Sequence, residues 1–558
     1  MSKKNIFIGG AWPYANNSMH VGHLAALLPG DILARYFRKN GNKTIYVSGS
    51  DCHGTPITLR AEKMGINPKE IATHYHEEFT RNFKDLWFSY DLYTNTMQDF
   101  HKENVKKKLL DIDKKGLFYT KTESEDYCPC CDKYVSDREI VGICPICGNI
   151  ADGDQCDKCL TALTPDSLKD KKCKICKTNT VLKDNTHLYL QLSKLTDKVQ
   201  AYYEKNKDNW RQTAVNETAK YLKEGLRDRA ITRQLNWGID MPFDGFDDKR
   251  VYVWIEAVIG YLSAGAEAAK KQGIDFDEFI RSVNTVSYYA HGKDNIVFHT
   301  VILPALLSAI DETISKPEMI VSCEYINMND EKMSKSKGNL VTVNSLIENF
   351  DSDSIRYYFT FNNPERKDSS FSLDEFVSLH NKHLVGGYGN FINRNLAFLS
   401  KKFEGKLPEL ELDAEVESEV KKAYEEVGEL FEKGELRAAA TRLYDFIQFA
   451  NRYYDKSTPW VLAKTDIDEF NKVTSNCVYM IANIANLYEP ILPKHAKMIK
   501  KLLGMNETLS WGPVSYDSTV VLEQVPIMFD RLDVATIDLS KGSEDTLLLK
   551  KNDKSLSL

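Results

Sequence analysis

The chain has 558 residues, 42% of them apolar and 27% charged, with a formal net charge of −7 at pH 7. That length exceeds a single hydrophobic core, so roughly three or four domains are expected. The balance is that of a soluble globular protein, and the acidic total argues against a protein whose only task is coating nucleic acid, while leaving room for local basic patches. The opening MSKKNIFIGG runs straight into Trp-Pro and is no secretory signal, and no apolar run approaches the ~18 residues of a membrane helix. A cytoplasmic protein without a membrane role is expected.

In chain order, NIFIGG predicts a strand and AWPYANNSM a turn, and a helix begins near His20 and runs through LAALLPGDILARYFRKN. TIYVSGSD predicts a second buried strand ending in a loop. Strand, loop, helix, strand is the rhythm of an open parallel α/β sheet, whose ligands lie beyond the carboxyl ends of the strands. The rhythm stops near residue 120, where a cysteine-rich segment begins. It resumes with RVYVWIEAVIGYL, VSYYAHGKDNIVFH and EMIVSCEYI. From about residue 376 the apolar spacing becomes helical, over Val377–Lys402, Glu415–Glu432, Leu436–Tyr454 and Phe470–Leu503. The tail SKGSEDTLLLKKNDKSLSL is polar and charged and is expected to fray.

His20-Val-Gly-His23 places two histidines one turn apart at a helix start, where free backbone N–H groups and the dipole favour an anion. Gly22 lets a nucleotide ring or phosphate approach the backbone closely. Alone, two neighbouring histidines are as readily structural. The run Lys332-Met-Ser334-Lys335-Ser336, extended by Lys337 and Gly338, can hold a polyphosphate through compact positive charge and hydroxyl donors. The ordinary reading of a lysine run is a solvated surface loop. The pairing carries the weight: HxGH after the first strand, with KMSKS about 310 residues later after the last, is the signature of the class I aminoacyl-tRNA synthetases.

Within that class the chain resembles the methionyl-tRNA synthetases. Ala11-Trp12-Pro-Tyr14-Ala-Asn-Asn-Ser-Met-His-Val-Gly-His23 is similar to their A-x-PYAN-G-x-x-H-x-GH segment. The same holds for Gly-Ser-Asp51-x-His-Gly-Thr-Pro, for Tyr252-Val-Trp254-Ile-x-Ala257-x-Ile-Gly-Tyr261, and for His291-Gly-Lys-Asp294 with Phe298-His299. Gly-Asn390-Phe-Ile-Asn-Arg394 and Pro459-Trp460 extend the likeness over nearly the whole chain. The resemblance implies a methionine pocket of Ala11, Trp12, Tyr14, Trp254, Ala257, Tyr261 and His299, with Asp51 meeting the α-ammonium. A thioether packs well against aromatic edges, and a Tyr hydroxyl and a His nitrogen can donate to sulfur. Val258 stands where bacterial members carry Pro, a departure in the pocket lining. His20, Gly22, His23, Arg233, Lys332, Ser334, Lys335 and Ser336 would handle ATP with its Mg²⁺, the lysines meeting charge that develops on the leaving pyrophosphate. Asn390, Arg394 and Trp460 would read the anticodon of tRNA(Met) by stacking and edge contacts.

Nine of the twelve cysteines lie between Cys128 and Cys176, eight of them in four CxxC pairs: Cys128/Cys131, Cys144/Cys147, Cys156/Cys159 and Cys173/Cys176. CxxC lets two thiolates reach one tetrahedral ion from a tight turn, so eight suit two structural Zn²⁺ sites closed by sulfur. Cys130 is left over. The second and third pairs are nearest in sequence and can close one knuckle, with the first and fourth closing another; the resemblance supports this nesting, and sequential pairing is the alternative. The expected fold is therefore α/β: a Rossmann-like parallel sheet split by a zinc-knuckle insertion, then an α-helical bundle. The boundaries are a first catalytic half at 1–119, the insertion at 120–228, a second half at 229–325, a KMSKS and stem-contact region at 326–375, the bundle at 376–512 and a C-terminal segment at 513–558.

The insertion leaves no room for a separate editing domain, which places discrimination in the synthetic pocket. The expected reaction joins L-methionine and ATP as methionyl-adenylate, then passes methionine to tRNA(Met), on a monomer. The rivals are another class I synthetase of the same subgroup and a catalytically dead tRNA- or zinc-dependent binding protein.

Overall fold

The apolar hexapeptide NIFIGG becomes a strand buried on both faces, the environment in which parallel strands read as continuous apolar runs. The computed structural model describes residues 3–135, 139–153, 156, 158–159, 161, 163, 165–328, 340–543 and 546–547. They form two compact units, one of residues 1–105, 196–225 and 256–558 and another of residues 106–195 and 226–255.

In the first unit five strands, β1 (Asn5–Gly10), β2 (Lys43–Ser50), β3 (Leu92–Asn95), β4 (Thr285–Gly292) and β5 (Met319–Cys323), make a parallel sheet in the order β5-β4-β1-β2-β3. The chain leaves β1 toward β2 on one side, while β4 lies on the other, so the order reverses between β1 and β4. Ligand crevices of open α/β sheets form at such a switch point. Helix α1 (Val21–Lys39) starts there, directly after the turn that follows β1.

In RVYVWIEAVIGYL, where the α/β rhythm was expected to resume, Arg250–Val251 is extended and helix α2 (Val253–Lys271) follows, with Trp254 and Tyr261 seven apart on it. Its buried residues Ile255, Val258, Ile259 and Leu262 recur three and four apart, and its last turns are rich in alanine, so helical period and propensity agree. Among the described residues, one helical stretch, Lys293–Ile310, has the length and hydropathy of a membrane span, which the sequence reading did not anticipate; 72% of it is buried inside the protein.

Helix α3 (Ser352–Phe361) leads toward the bundle, whose helices are Asn390–Lys402, Ala414–Glu432, Leu436–Ser457, Ile467–Tyr488 and Pro493–Leu502. The single helix expected over Phe470–Leu503 is broken after Tyr488. Pro490 and Pro493 lack the N–H that an uninterrupted helix needs and disfavour helical geometry in the residue before them. Arg356 of α3, wholly buried, crosses this break: it donates to the carbonyls of Ile491 (2.9 Å), Pro490 (2.8 Å) and Leu86 (3.0 Å) and to Asp31 of α1 (2.7 Å).

In the second unit Phe118–Cys128 pairs antiparallel with Val181–Leu190, and a three-stranded antiparallel sheet orders Ile150–Asp152, Ile140–Ile143 and Lys169–Cys173. One small cluster of its buried residues consists of Cys128, Cys144, Cys156 and Cys173 with Val135, Ile140, Ala151 and Leu168.

Candidate active site and cysteine centres

The two histidines of HxGH cap α1. His20 is the N-cap, its backbone extended at φ −119° and ψ 172°. The Gly22 N–H donates to His20 Nδ1 (3.1 Å), and the His20 N–H donates to His23 Nδ1 (3.2 Å). With both Nδ1 atoms accepting, each neutral ring carries its proton on Nε2, which gives two N–H donors beside a helix N-terminus. Burial, followed by repulsion from His20, holds His23 well below the usual histidine range and so neutral. No acid sits in the first turn of α1, which leaves its positive end to an anion. Lys332, Ser334, Lys335 and Ser336 lie outside the described residues. The chain that emerges after them pairs beside this cap: Val21 N–H donates to Val341 carbonyl (3.2 Å), and Val343 N–H to Met19 carbonyl (2.9 Å).

In the turn that joins β1 to this cap, Trp12 occupies a slot between two glycines. A Cβ on Gly49 would stand 2.4 Å from the indole, and one on Gly260 2.8 Å from it. The ring meets Tyr261 edge-on at 6.3 Å and stacks on His101 at 6.0 Å. Sequence reasoning passed over Gly49 and Gly260; glycine within a strand and within a helix is the signal for such a close approach. Tyr261 is buried and its hydroxyl lies 2.8 Å from His299 Nε2, while His299 Nδ1 lies 2.8 Å from the Asn295 carbonyl. A carbonyl can only accept, so Nδ1 carries the proton. Burial lowers the His299 pKa to about 4, which leaves Nε2 to accept from Tyr261. The expectation that a His nitrogen donates to sulfur is therefore corrected: in this arrangement that nitrogen is an acceptor. His291 stacks on His299 at 4.3 Å.

Ala11 is held by its N–H to the Ala290 carbonyl (2.9 Å), between β1 and β4. Tyr14 and Asp51 face each other across a parallel bridge, with Asp51 N–H donating to Pro13 carbonyl (2.9 Å) and Ala15 N–H to Asp51 carbonyl (2.8 Å). The Tyr14 hydroxyl donates to the His53 carbonyl. Asp51 is buried, and burial first, then the nearby Glu256 carboxylate, raise its pKa well above the carboxylate range. A carboxylate so placed gains most when a cation joins it. Ala257 and Val258 lie on α2, Val258 buried. Arg233 and Trp254 belong to the second unit. There the Arg233 guanidinium lies 3.8 Å over Tyr252 and donates to the Thr232 carbonyl (2.8 Å), and Trp254, 41% exposed, leans on Tyr252 at 5.4 Å.

In the bundle, Arg394 pairs with Asp455 (2.7 Å), donates to Asn451, and lies 4.0 Å over Tyr454, whose ring is 5.6 Å from that of Trp460. Trp460 is 43% exposed and Asn390 is exposed, so an open aromatic face stands beside a fixed guanidinium.

The cysteines gather into two groups. Cys128, Cys131, Cys173 and Cys176 have their sulfurs within 4.8 Å of one another, as do Cys144, Cys147, Cys156 and Cys159. The first pair thus meets the fourth and the second meets the third, the nested arrangement. Cys130 is exposed and stands apart. Each group offers four sulfurs and can hold one tetrahedral ion. Asp351, Asp353 and His495 also lie within 4.8 Å of one another, but their atoms are engaged: Asp351 caps α3, and His495 contacts Asp353 (2.8 Å) and the Met528 carbonyl (2.6 Å) through its two ring nitrogens.

The family "tRNA synthetases class I (M)" matches residues 6–396, and "Anticodon binding domain of methionyl tRNA ligase" matches residues 405–534. Methionine–tRNA ligase 1 of Alkaliphilus oremlandii is 45% identical over 95% of this chain and 97% of its own length. A methionine–tRNA ligase of Bacillus cereus is 44% identical over 96% and 98%, and one of Streptococcus pneumoniae 43% over 96% and 98%. Among solved structures, Mycobacterium tuberculosis methionyl-tRNA synthetase in complex with methionyl-adenylate aligns over 95% of this chain and 100% of its own, with a TM-score of 0.76 at 24% identity, a likeness of fold.

Proposed function

The chain belongs to the methionine–tRNA ligases of the class I aminoacyl-tRNA synthetases, and from that premise we propose how its residues divide the work. The enzyme activates L-methionine with ATP to methionyl-adenylate and pyrophosphate, then transfers methionine to the 3′ end of tRNA(Met) for translation.

Asp51 holds the α-ammonium, and Ala11, Trp12, Tyr14, Ala257, Tyr261 and His299 enclose the side chain. The methionine carboxylate oxygen bonds to the α-phosphorus of ATP while the bond to the β-phosphate oxygen breaks, its electron pair leaving with pyrophosphate. The Nε2–H edges of His20 and His23 meet the nucleotide phosphates, and Lys332, Ser334, Lys335 and Ser336 take the pyrophosphate side. Catalysis is then positioning and charge stabilisation, without a covalent enzyme intermediate. When bound with ATP, Mg²⁺ neutralises phosphate charge. Asn390, Arg394 and Trp460 read anticodon bases. The two four-sulfur groups suit structural Zn²⁺, since no position is left for a catalytic water. The enzyme works in the cytoplasm as a monomer.

The observation that carries this reading is the juxtaposition, at the β1–β4 switch point, of a histidine cap built for an anion with an aromatic slot lined by Trp12, Tyr261 and His299. Pyrophosphate exchange screened over the twenty amino acids tests it. Methionine alone should support exchange; activity with leucine or valine in its place sinks the reading. In the same assay Lys335→Ala should cut adenylate formation by orders of magnitude and spare methionine binding.

A further inference from the structure

We propose that Glu256, acting through His53, is a positioning residue for the amino-acid site, holding in place the backbone that orients Asp51 and Tyr14. The inference rests on the reading above that Asp51 meets the ammonium.

Glu256 lies in the first turn of α2 and is completely buried. One of its oxygens lies 2.6 Å from His53 Nδ1, and the other has no hydrogen-bond partner among the described residues. A carboxylate without exposure and with one oxygen unsatisfied is costly, and fold stability alone does not call for it here. His53, itself buried, is two residues beyond Asp51. Its N–H donates to Asp51 Oδ1 (3.5 Å), and its carbonyl accepts the Tyr14 hydroxyl. One peptide segment therefore contacts two pocket residues from two different loops, and its side chain is fastened to the helix that carries two more, Ala257 and Tyr261. Glu256 fixes the imidazole, the imidazole fixes the segment, and the segment sets the carboxylate and the phenol.

The charges around Glu256 support the same role. Asp51 and Cys52 face it on the loop, with His53 in direct contact and Lys102 more distant; His101 in turn bears on His53. Two buried carboxylates thus share a site whose basic neighbours, among the described residues, are His53 in direct contact and the more distant Lys102. An entering ammonium completes the group. Glu256 raises the Asp51 pKa, after burial, so removing its charge should make Asp51 ionise at lower pH.

The experiment uses the full enzyme and two methionine analogues as inhibitors of exchange: methioninol, which keeps the ammonium, and 4-(methylthio)butanoate, which lacks it. Glu256→Ala should weaken methioninol about tenfold, the loss expected for a displaced charge-assisted hydrogen bond. It should leave 4-(methylthio)butanoate and the KM for ATP within about twofold. Glu256→Gln keeps an acceptor for His53; it should bind methioninol nearly as the parent does, and its acid limb of kcat/KM for methionine should shift to lower pH. Equal weakening of both analogues, a KM for ATP rising in step, or an acid limb that stays put overturns the proposal. Failure of Asp51→Asn to weaken methioninol would instead overturn the reading on which it rests.

Discussion

The two compact units hold themselves together in different ways. In the first, a large apolar core supports a costly polar centre: Asp31 and Arg356, neither exposed to solvent, are joined by a 2.7 Å ion pair, with Arg35 and Ser89 completing the Asp31 partners. In the second, one buried cluster is half cysteine, with Cys128, Cys144, Cys156 and Cys173 beside Val135, Ile140, Ala151 and Leu168. A cluster of that size buries too little apolar surface for stability on its own, so it concentrates sulfur able to bind metal where a larger core would place leucine or phenylalanine. A sufficiently large core can carry buried charge as an internal fastening, whereas a small one needs a ligand from outside. The clearest way to break that contrast is to take the ion away. Structural zinc contributes on the order of 10–16 kcal/mol of binding free energy that is also folding free energy. Chelation, or Cys144→Ser together with Cys173→Ser, should erase amide-exchange protection in Phe118–Cys128 and Val181–Leu190 while β1, β2 and β4 stay protected. Parallel loss in both units would show that the first does not stand on its own core.

The reverse experiment removes the internal fastening. Arg356→Leu leaves Asp31 short of one cation and three carbonyls short of a donor, and breaking a buried pair from one side costs about 3–5 kcal/mol. Urea unfolding should show that loss for the first unit, with metal content equal to the parent's. Because Asp31 is held well below the carboxylate range, chiefly by Arg35 and Arg356 working against burial, the stability it contributes is present at neutral pH and fades as the pH falls below that range.

The same contrast explains what the sequence made legible. Strands buried on both faces, a helix starting at a polar turn and four CxxC pairs each leave a local, periodic trace, and those features can be read in place. The nesting of the cysteine pairs stays open at that level because CxxC spacing fixes which two sulfurs share a turn, while the partner turn is a matter of strand pairing. The bounds of helix α2 are weakly marked because VYVWIEAVIGYL is apolar enough for either period, and the alanines beyond it settle the helical one. His53 and Glu256, 203 residues apart, carry no shared signature; each is an ordinary polar residue until the fold brings them to 2.6 Å. Gly49 reads as part of a loop, although its neighbour across space, Trp12, is what forbids a side chain there.

A third test sharpens the comparison through pH. His299 is fully buried with its pKa lowered to about 4, against an unfolded value near 6.5. The unfolded chain therefore binds a proton that the folded one refuses, and stability falls as pH drops from about 6.5 toward 4, by up to about 3 kcal/mol for this one group. The stability difference between the parent and His299→Asn, measured by urea unfolding, should shrink across that window and stay level between pH 7 and 8. A flat difference throughout would mean that the imidazole is not held neutral in the pocket.

The smallest effects separate the units at single glycines. A Cβ at Gly49 would sit 2.4 Å from Trp12, and the indole cannot retreat because Gly260 brackets its other side. Overpacking of this kind costs about 1–3 kcal/mol. Since Trp12 lines the proposed pocket, the cost should appear as a raised KM for methionine in Gly49→Ala, with the KM for ATP and the metal content unmoved. Gly148, in a knuckle turn, has φ +69°, and a Cβ placed on it would have no neighbour within 4 Å among the described residues. Alanine there meets only the penalty of a left-handed backbone, about 1–2 kcal/mol. Gly148→Ala should therefore weaken metal retention slightly in a chelator-competition assay and leave methionine activation alone. Steric exclusion governs the glycine in the large unit and backbone handedness the one in the small, so an exchange of phenotypes between these variants would refute the division drawn here.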